Sequence, residues 1–199
     1  MKVHKLIKEV IPLKKATQSI LAAMLLLVMA VSTSFPAFAA VGFGNFGSGS
    51  DGYVDVSSLY RQTNQFRTSK NVWYWNRGNL SRTYFNTNSS NQLKAFKRDS
   101  ALEKTARTRA KELSQRFSHT RPNGKDCFTA YPHYSALGEN IAMGQSNAAE
   151  ALNSWKETNN LYSGQGHRRN MLSKSYNAIG IAGYRHNGTI YWVQSFGKV

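Results

Sequence analysis

A single cysteine, Cys127, among 199 residues excludes an internal disulfide. The fold must therefore be held by an apolar core, unlike the cysteine-dense scaffolds of many small exported proteins. Acid is scarce as well: 10 Asp and Glu stand against 26 Lys and Arg, a formal charge of +16. Long apolar runs are missing too. The longest, Ile20 to Val31, has 12 residues, short of the ~20 that a helix needs to cross a bilayer. That length argues against an uncleaved anchor. No internal repeat is visible.

What is present at the start of the chain is the pattern of a cleavable signal peptide. Lys2, Lys5, Lys8, Lys14 and Lys15 precede the apolar run, and Pro36 with Ala37-Phe38-Ala39 supplies an extended, small-residue cleavage segment. The expected division is a signal peptide over 1–39, a flexible leader over 40–55 carrying the five glycines from Gly42 to Gly52, and a folded domain over 56–199. Without residues 1–39 the 26 bases and 10 acids become 21 and 9, a charge of +12, so the basicity belongs to the folded part. Such charge suits anionic lipid or an acidic wall polymer, both nearer than nucleic acid to where export delivers a protein. It equally suits a solvated surface.

Along the domain, Leu59, Gln62, Thr63 and Phe66 predict a helix over 56–68 capped by Ser57 or Ser58. Residues 70–92 fit no period and read as a loop or short hairpin whose aromatics either form a ligand lid or pin the segment to its own domain. Leu102, Ala106, Ala110, Leu113 and Phe117 give one apolar stripe from Ser100 to Phe117, opened by a capping box with Glu103. Its other face, with Lys104, Arg107, Arg109, Lys111 and Arg116, reads as solvent-facing. Asn147 caps a further helix with Ala148, Leu152 and Trp155 inward, ending before Asn159 and Asn160, and a short helix follows His167. Two β-rich runs, 177–185 and 189–197, are joined through His186-Asn187-Gly188, where Asn-Gly suits two positive φ angles. Helices followed by a closing hairpin imply an α+β or layered α/β/α domain.

Four polar residues stand at element ends, where loops place functional groups. His119 lies where the long helix must stop, Glu139 in a Gly-led turn, Glu157 after the second helix and His167 at the start of the third. Two neutral imidazoles can ligate a divalent transition metal, and carboxylates can complete the shell or deprotonate a bound water. The four are far apart in sequence, and no short metal motif joins them. Taken singly, His119 reads as a helix C-terminal cap and His167 as an N-terminal residue with a backbone partner.

The segments Phe117 to Gly124, Gly138-Glu139-Asn140-Ile141-Ala142, Ala151 to Trp155, Gly164 to Leu172, and Ile179 to Ala182 with Tyr191 to Gln194 occur in the order and spacing of the CAP superfamily. That superfamily groups cysteine-rich secretory proteins, antigen 5 and pathogenesis-related proteins, and the chain resembles its bacterial secreted branch over about Val56 to Gly197. The resemblance implies an α/β/α sandwich with a central cleft, where His119 and His167 are metal ligands, zinc being the expected ion, and Glu139 is the first acid. Glu157 departs from the pattern of many eukaryotic relatives, which place the second acid three residues after the tryptophan, where this chain has Thr158. It reaches the cleft only if the helix ends early. Bacterial relatives often carry a cysteine near Ser195, so a partner for Cys127 is absent, and Cys127 is either a buried apolar side chain or an exposed thiol.

Fold does not fix task. One reading is a secreted binding module whose cleft takes a metal and whose surface holds a lipid, a sterol-like molecule or an anionic wall polymer. Another is a metal-dependent extracellular hydrolase, of peptidase or esterase type, with His119, Glu139, Glu157 and His167 catalytic and Glu139 taking the proton of a metal-bound water. A third is an adhesive surface protein with a vestigial cleft.

Overall fold

The computed structural model describes residues 50–76, 81–160 and 164–199. The expected signal peptide and most of the leader lie outside them. The elements are β1 (Gly52–Tyr53), α1 (Ser57–Thr68), β2 (Val72–Trp75), β3 (Arg82–Phe85), β4 (Lys97–Arg98), α2 (Ser100–Leu113), β5 (Leu137–Met143), α3 (Ala148–Lys156), α4 (Gly166–Leu172), β6 (Ala178–His186) and β7 (Thr189–Gly197).

β7 is the middle of the main sheet. It pairs antiparallel with β6 from Ala178↔Gly197 to His186↔Thr189, and with β5 from Leu137↔Gly197 to Met143↔Tyr191. β1 (antiparallel) and β4 (parallel) share the outer edge of β6, one at each end. The turn between β6 and β7 sets Asn187 at φ 49° and Gly188 at φ 76°, as the Asn-Gly pair implies.

Side chains alternate across a strand. Ile190, Trp192 and Phe196 therefore meet Leu59, Trp155 and Met171 from α1, α3 and α4, while Val193, Ile141 and Ala182 meet Ala106, Ala110 and Leu113 of α2. The result is the expected α/β/α sandwich. α2 comes so close to β6 that a Cβ on Gly180 would lie 2.1 Å from the backbone carbon of Leu102. Only glycine leaves room for that contact.

Several local expectations need correction. The sheet starts at Gly52, inside the segment read as leader, because Asp51 accepts from the Asn187 backbone N–H at 2.9 Å and Gly52 and Tyr53 pair with β6. α1 has no side-chain cap of its own; instead Asp55 accepts from Ser57 N–H at 3.0 Å. Asp99, not Ser100, caps α2 by accepting from Leu102 N–H at 2.8 Å. α2 stops at Leu113, leaving Phe117 exposed and off the stripe. Residues 70–92 contain the hairpin β2–β3, with Val72 and Phe85 packed on Leu93 and Leu172, so its aromatics pin it to its own domain. Arg82 stacks outside over Trp73 and Trp75, with its guanidinium carbon 4.0 and 4.5 Å from the ring centres.

Candidate metal-binding cleft

Glu139 does not sit in a turn but inside β5, and its side chain faces α2. There it meets Arg109, a residue expected on the solvent side and found fully buried. Arg109 Nε donates to Glu139 Oε2 at 2.8 Å and Nη2 to Oε1 at 3.2 Å, while Nη1 reaches Glu112 at 2.7 Å and Nη2 the Ser118 carbonyl at 2.7 Å. Burial opposes charge on the Glu139 carboxyl, but the hydrogen bonds from His119 and Arg109 outweigh it and hold the group below the usual carboxylate range. As an ionised acceptor, Glu139 takes a hydrogen bond from His119 Nδ1 at 2.9 Å.

His119 is not a helix cap, since α2 ends six residues before it. It sits in a tight loop closed by the Thr120↔Asp126 bridge and by Cys127 N–H donating to the His119 carbonyl at 2.9 Å. Arg121 ties the loop to α2 through Glu112 at 2.6 Å. Cys127 is buried, as one of its two readings held, with its thiol pushed up to about 12 by burial and by the Glu139 charge.

The second pair resolves the question raised by the displaced acid. α3 ends at Lys156, and Glu157 takes the left-handed conformation at φ 45°. That reversal swings its carboxylate back to accept from His167 Nδ1 at 2.6 Å and from Arg168 N–H at 3.2 Å. His167, on the first turn of α4, thus has a side-chain partner rather than the backbone partner expected. Its backbone carbonyl is used separately, by Asn140 Nδ2 at 3.1 Å.

His119, Glu139 and His167 line one cavity of about 730 Å³, whose opposite wall is Tyr74, Thr83 and Phe85 of the hairpin. The hairpin is fixed to α4: Gln165 accepts from Trp75 N–H at 2.8 Å, and the buried Arg168 donates to the carbonyls of Trp73 and of Lys156. Behind the cavity runs a chain of amides. Asn170 donates to Asn140, Asn140 to Gln194, and Gln194 to Thr63, at 2.9, 2.9 and 2.8 Å. Arg109, Asn140, Gln194 and Thr63 were not singled out as site residues, although Arg109 falls three residues after Ala106 and four before Leu113, within the buried stripe.

A model of the cysteine-rich secretory protein family, CAP, matches residues 60–196. The chain belongs to that family. An outer surface protein from Borrelia burgdorferi shares its fold at a TM-score of 0.53 and 18% identity, over 75% of this chain and 98% of that one. An extracellular SCP-domain protein from Bacillus anthracis is 26% identical over 54% of this chain and 35% of its own, at a TM-score of 0.43. A cysteine-rich secretory protein from Staphylococcus aureus is 19% identical over 71% of this chain and 38% of its own, at 0.45. This CAP chain thus spans little more than a third of the latter two. No curated protein matches it.

The CAP resemblance implies a metal, and two donor sets in the cleft can be weighed for it. His119, Cys127 and Glu139 place ligand atoms within 4.8 Å of one another. Burial pushes the free Cys127 thiol up, so an ion there would have to displace its proton, and Glu139 already accepts from Arg109 and His119. The imidazole pair on the wall of one cavity is the second set. Both Nδ1 atoms are held by carboxylates, as in the carboxylate-histidine pattern of metal sites, and among the described residues neither Nε2 has a hydrogen-bond partner. The side chains of His119 and His167 are 54% and 33% exposed, open to an ion from solvent.

Proposed function

We propose that this CAP protein is an exported binding module whose cleft takes a divalent metal, zinc by preference, on Nε2 of His119 and His167, and engages an anionic lipid or polymer of the cell envelope. The observation that carries the reading is that two imidazoles on one cavity are each oriented through Nδ1 by a carboxylate, at 2.9 and 2.6 Å. Two protein ligands leave coordination positions for an outside group, and zinc bound there supplies Lewis acidity and charge. Among the described residues the cavity's one carboxylate, Glu139, is paired with Arg109, while Arg169 and Lys174 add positive charge to its walls. Export accords with the signal-like segment 1–39 and with the extracellular and outer-surface descriptions of the similar proteins. Among the described residues no helix is long and apolar enough to cross a membrane.

The hydrolase reading has less support. It needs Glu139 to accept a proton, and a carboxylate gripped by a buried arginine and held below its usual range is a poor base near neutral pH. Calorimetric titration with zinc tests the binding reading: saturable binding by the protein, lost in the His119→Ala, His167→Ala double variant, is the expected result. Turnover of peptide or ester substrates that depends on those histidines would favour the hydrolase instead.

A further inference from the structure

Three concavities of the surface adjoin one another through shared lining residues. The cleft cavity shares Lys174 with a smaller one of about 230 Å³, lined also by Lys94, Tyr176 and Asn177. That cavity in turn shares Gln92, Leu93, Lys94 and Ala95 with a third of about 890 Å³, which reaches Lys70 and is walled by the hydroxyls and amides of residues 86–90. The three cavities thus follow one another along shared wall residues, from the two histidines past Lys174 and Lys94 to Lys70.

The electrostatics of this groove are one-sided. Beyond Glu139, which Arg109 neutralises, no Asp or Glu among the described residues lines any of the three cavities. All nine carboxylates between residues 50 and 199 already have partners: Asp51, Asp55, Asp99, Asp126 and Glu150 accept from backbone N–H groups, and Glu103, Glu112, Glu139 and Glu157 pair with cations or imidazoles. Among the described residues no lysine takes part in an ion pair, and Lys70, Lys94 and Lys174 are all exposed. The one arginine lining the middle of the groove, Arg67, is buried with its donors on the carbonyls of Lys94, Met171 and Ser173, so it presents no guanidinium fork.

We infer that the groove holds an extended, hydroxyl-rich polyanion, specifically a phosphodiester-linked polyol chain, with one end at the cleft. Spaced ammonium groups act as point charges toward phosphates, with no bidentate geometry to satisfy. Amide and hydroxyl walls suit polyol hydroxyls. The inference rests on the reading of the cleft as an anion-binding site and extends it to Lys94 and Lys70, which touch neither histidine's cavity.

The test measures binding of synthetic poly(glycerol phosphate) of two and of twelve repeats, with chelator present, to the protein and to Lys70→Gln, Lys94→Gln. The twelve-repeat chain is expected to bind tighter than the two-repeat chain. The variant should lose about fivefold per lysine for the long chain only, and its slope of log affinity against log salt should fall by roughly 0.7 per lysine, as for a single-stranded polyanion. Lys104→Gln, Lys111→Gln on α2 is the charge-matched control. Equal losses in that control, length-independent binding, or equal affinity for polyglutamate of the same charge would each overturn the groove. Absent two-repeat binding with zinc binding intact would instead sink the anionic reading of the cleft, and absent zinc binding the metal reading.

Discussion

Arg109 and Glu139 form a two-bond ion pair at 2.8 and 3.2 Å between α2 and β5, with side chains 0% and 1% exposed. Breaking such a pair from one side strands a buried charge, which costs roughly 3–5 kcal/mol. Arg109→Met is therefore expected to lose that much in urea unfolding, while Arg109→Met with Glu139→Gln loses less than the two single changes together. Additivity in that cycle would show that the residues are not coupled.

The same carboxylates set the acid limit of the fold. Glu139 and Glu112 both sit below the ordinary value of 4.5: burial pushes each up, but hydrogen bonds from His119 and Arg109, and from Arg121 and Arg109, outweigh it. A depressed carboxyl contributes stability that is fully present above its unfolded value and is lost as pH falls through its folded one. The melting temperature should thus hold from neutral pH to about 5 and drop below about 4. A Glu112→Gln variant should be less stable at neutral pH and show a shallower acid drop. An acid limb as steep as that of the parent would contradict this.

Glu157 should act on metal through His167 rather than as a ligand. Glu157→Gln is expected to weaken zinc binding by about 10–100-fold, the range for partners of a metal-bound histidine, without abolishing it as the histidine pair of changes does. Undiminished affinity would remove Glu157 from the site.

Cys127 separates the two donor sets. With a thiol near 12 and no exposure to speak of, Cys127→Ser should leave zinc affinity within about twofold, and the native thiol should react with a disulfide reagent far more slowly than the urea-unfolded one. Loss of zinc binding in that variant would transfer the site to His119, Cys127 and Glu139.

Gly180 carries the α2–β6 approach. Gly180→Ala places a methyl 2.1 Å from a backbone carbon that cannot turn aside, so a destabilisation of about 3 kcal/mol or more is expected in thermal melts.

Much of this was legible where periodicity carries the signal. The stripe Leu102, Ala106, Ala110, Leu113 gave α2, and Asn187-Gly188 gave the turn between β6 and β7, because both rest on local stereochemistry. β5 was hidden because Glu139-Asn140 interrupts its apolar pattern, each polar side chain being satisfied on a different face of the sheet. Arg109 was misread because its charge suggested water, while its spacing already placed it inward. The reach of Glu157 depended on one left-handed residue, a conformation that no propensity assigns to glutamate. The meeting of His119 with Glu139 and of Glu157 with His167 is a matter of topology, visible in the sequence only through the family resemblance.

The central position of β7 also imposes an order of events. Among the described residues β5 has no strand partner other than β7, and Glu139 stands opposite Ser195. The acid that orients His119 is therefore placed only when a segment more than fifty residues downstream arrives beside it. A chain lengthening from its amino end carries both imidazoles before it has the strand that fixes β5, so the aiming of His119 is among the last things the fold completes.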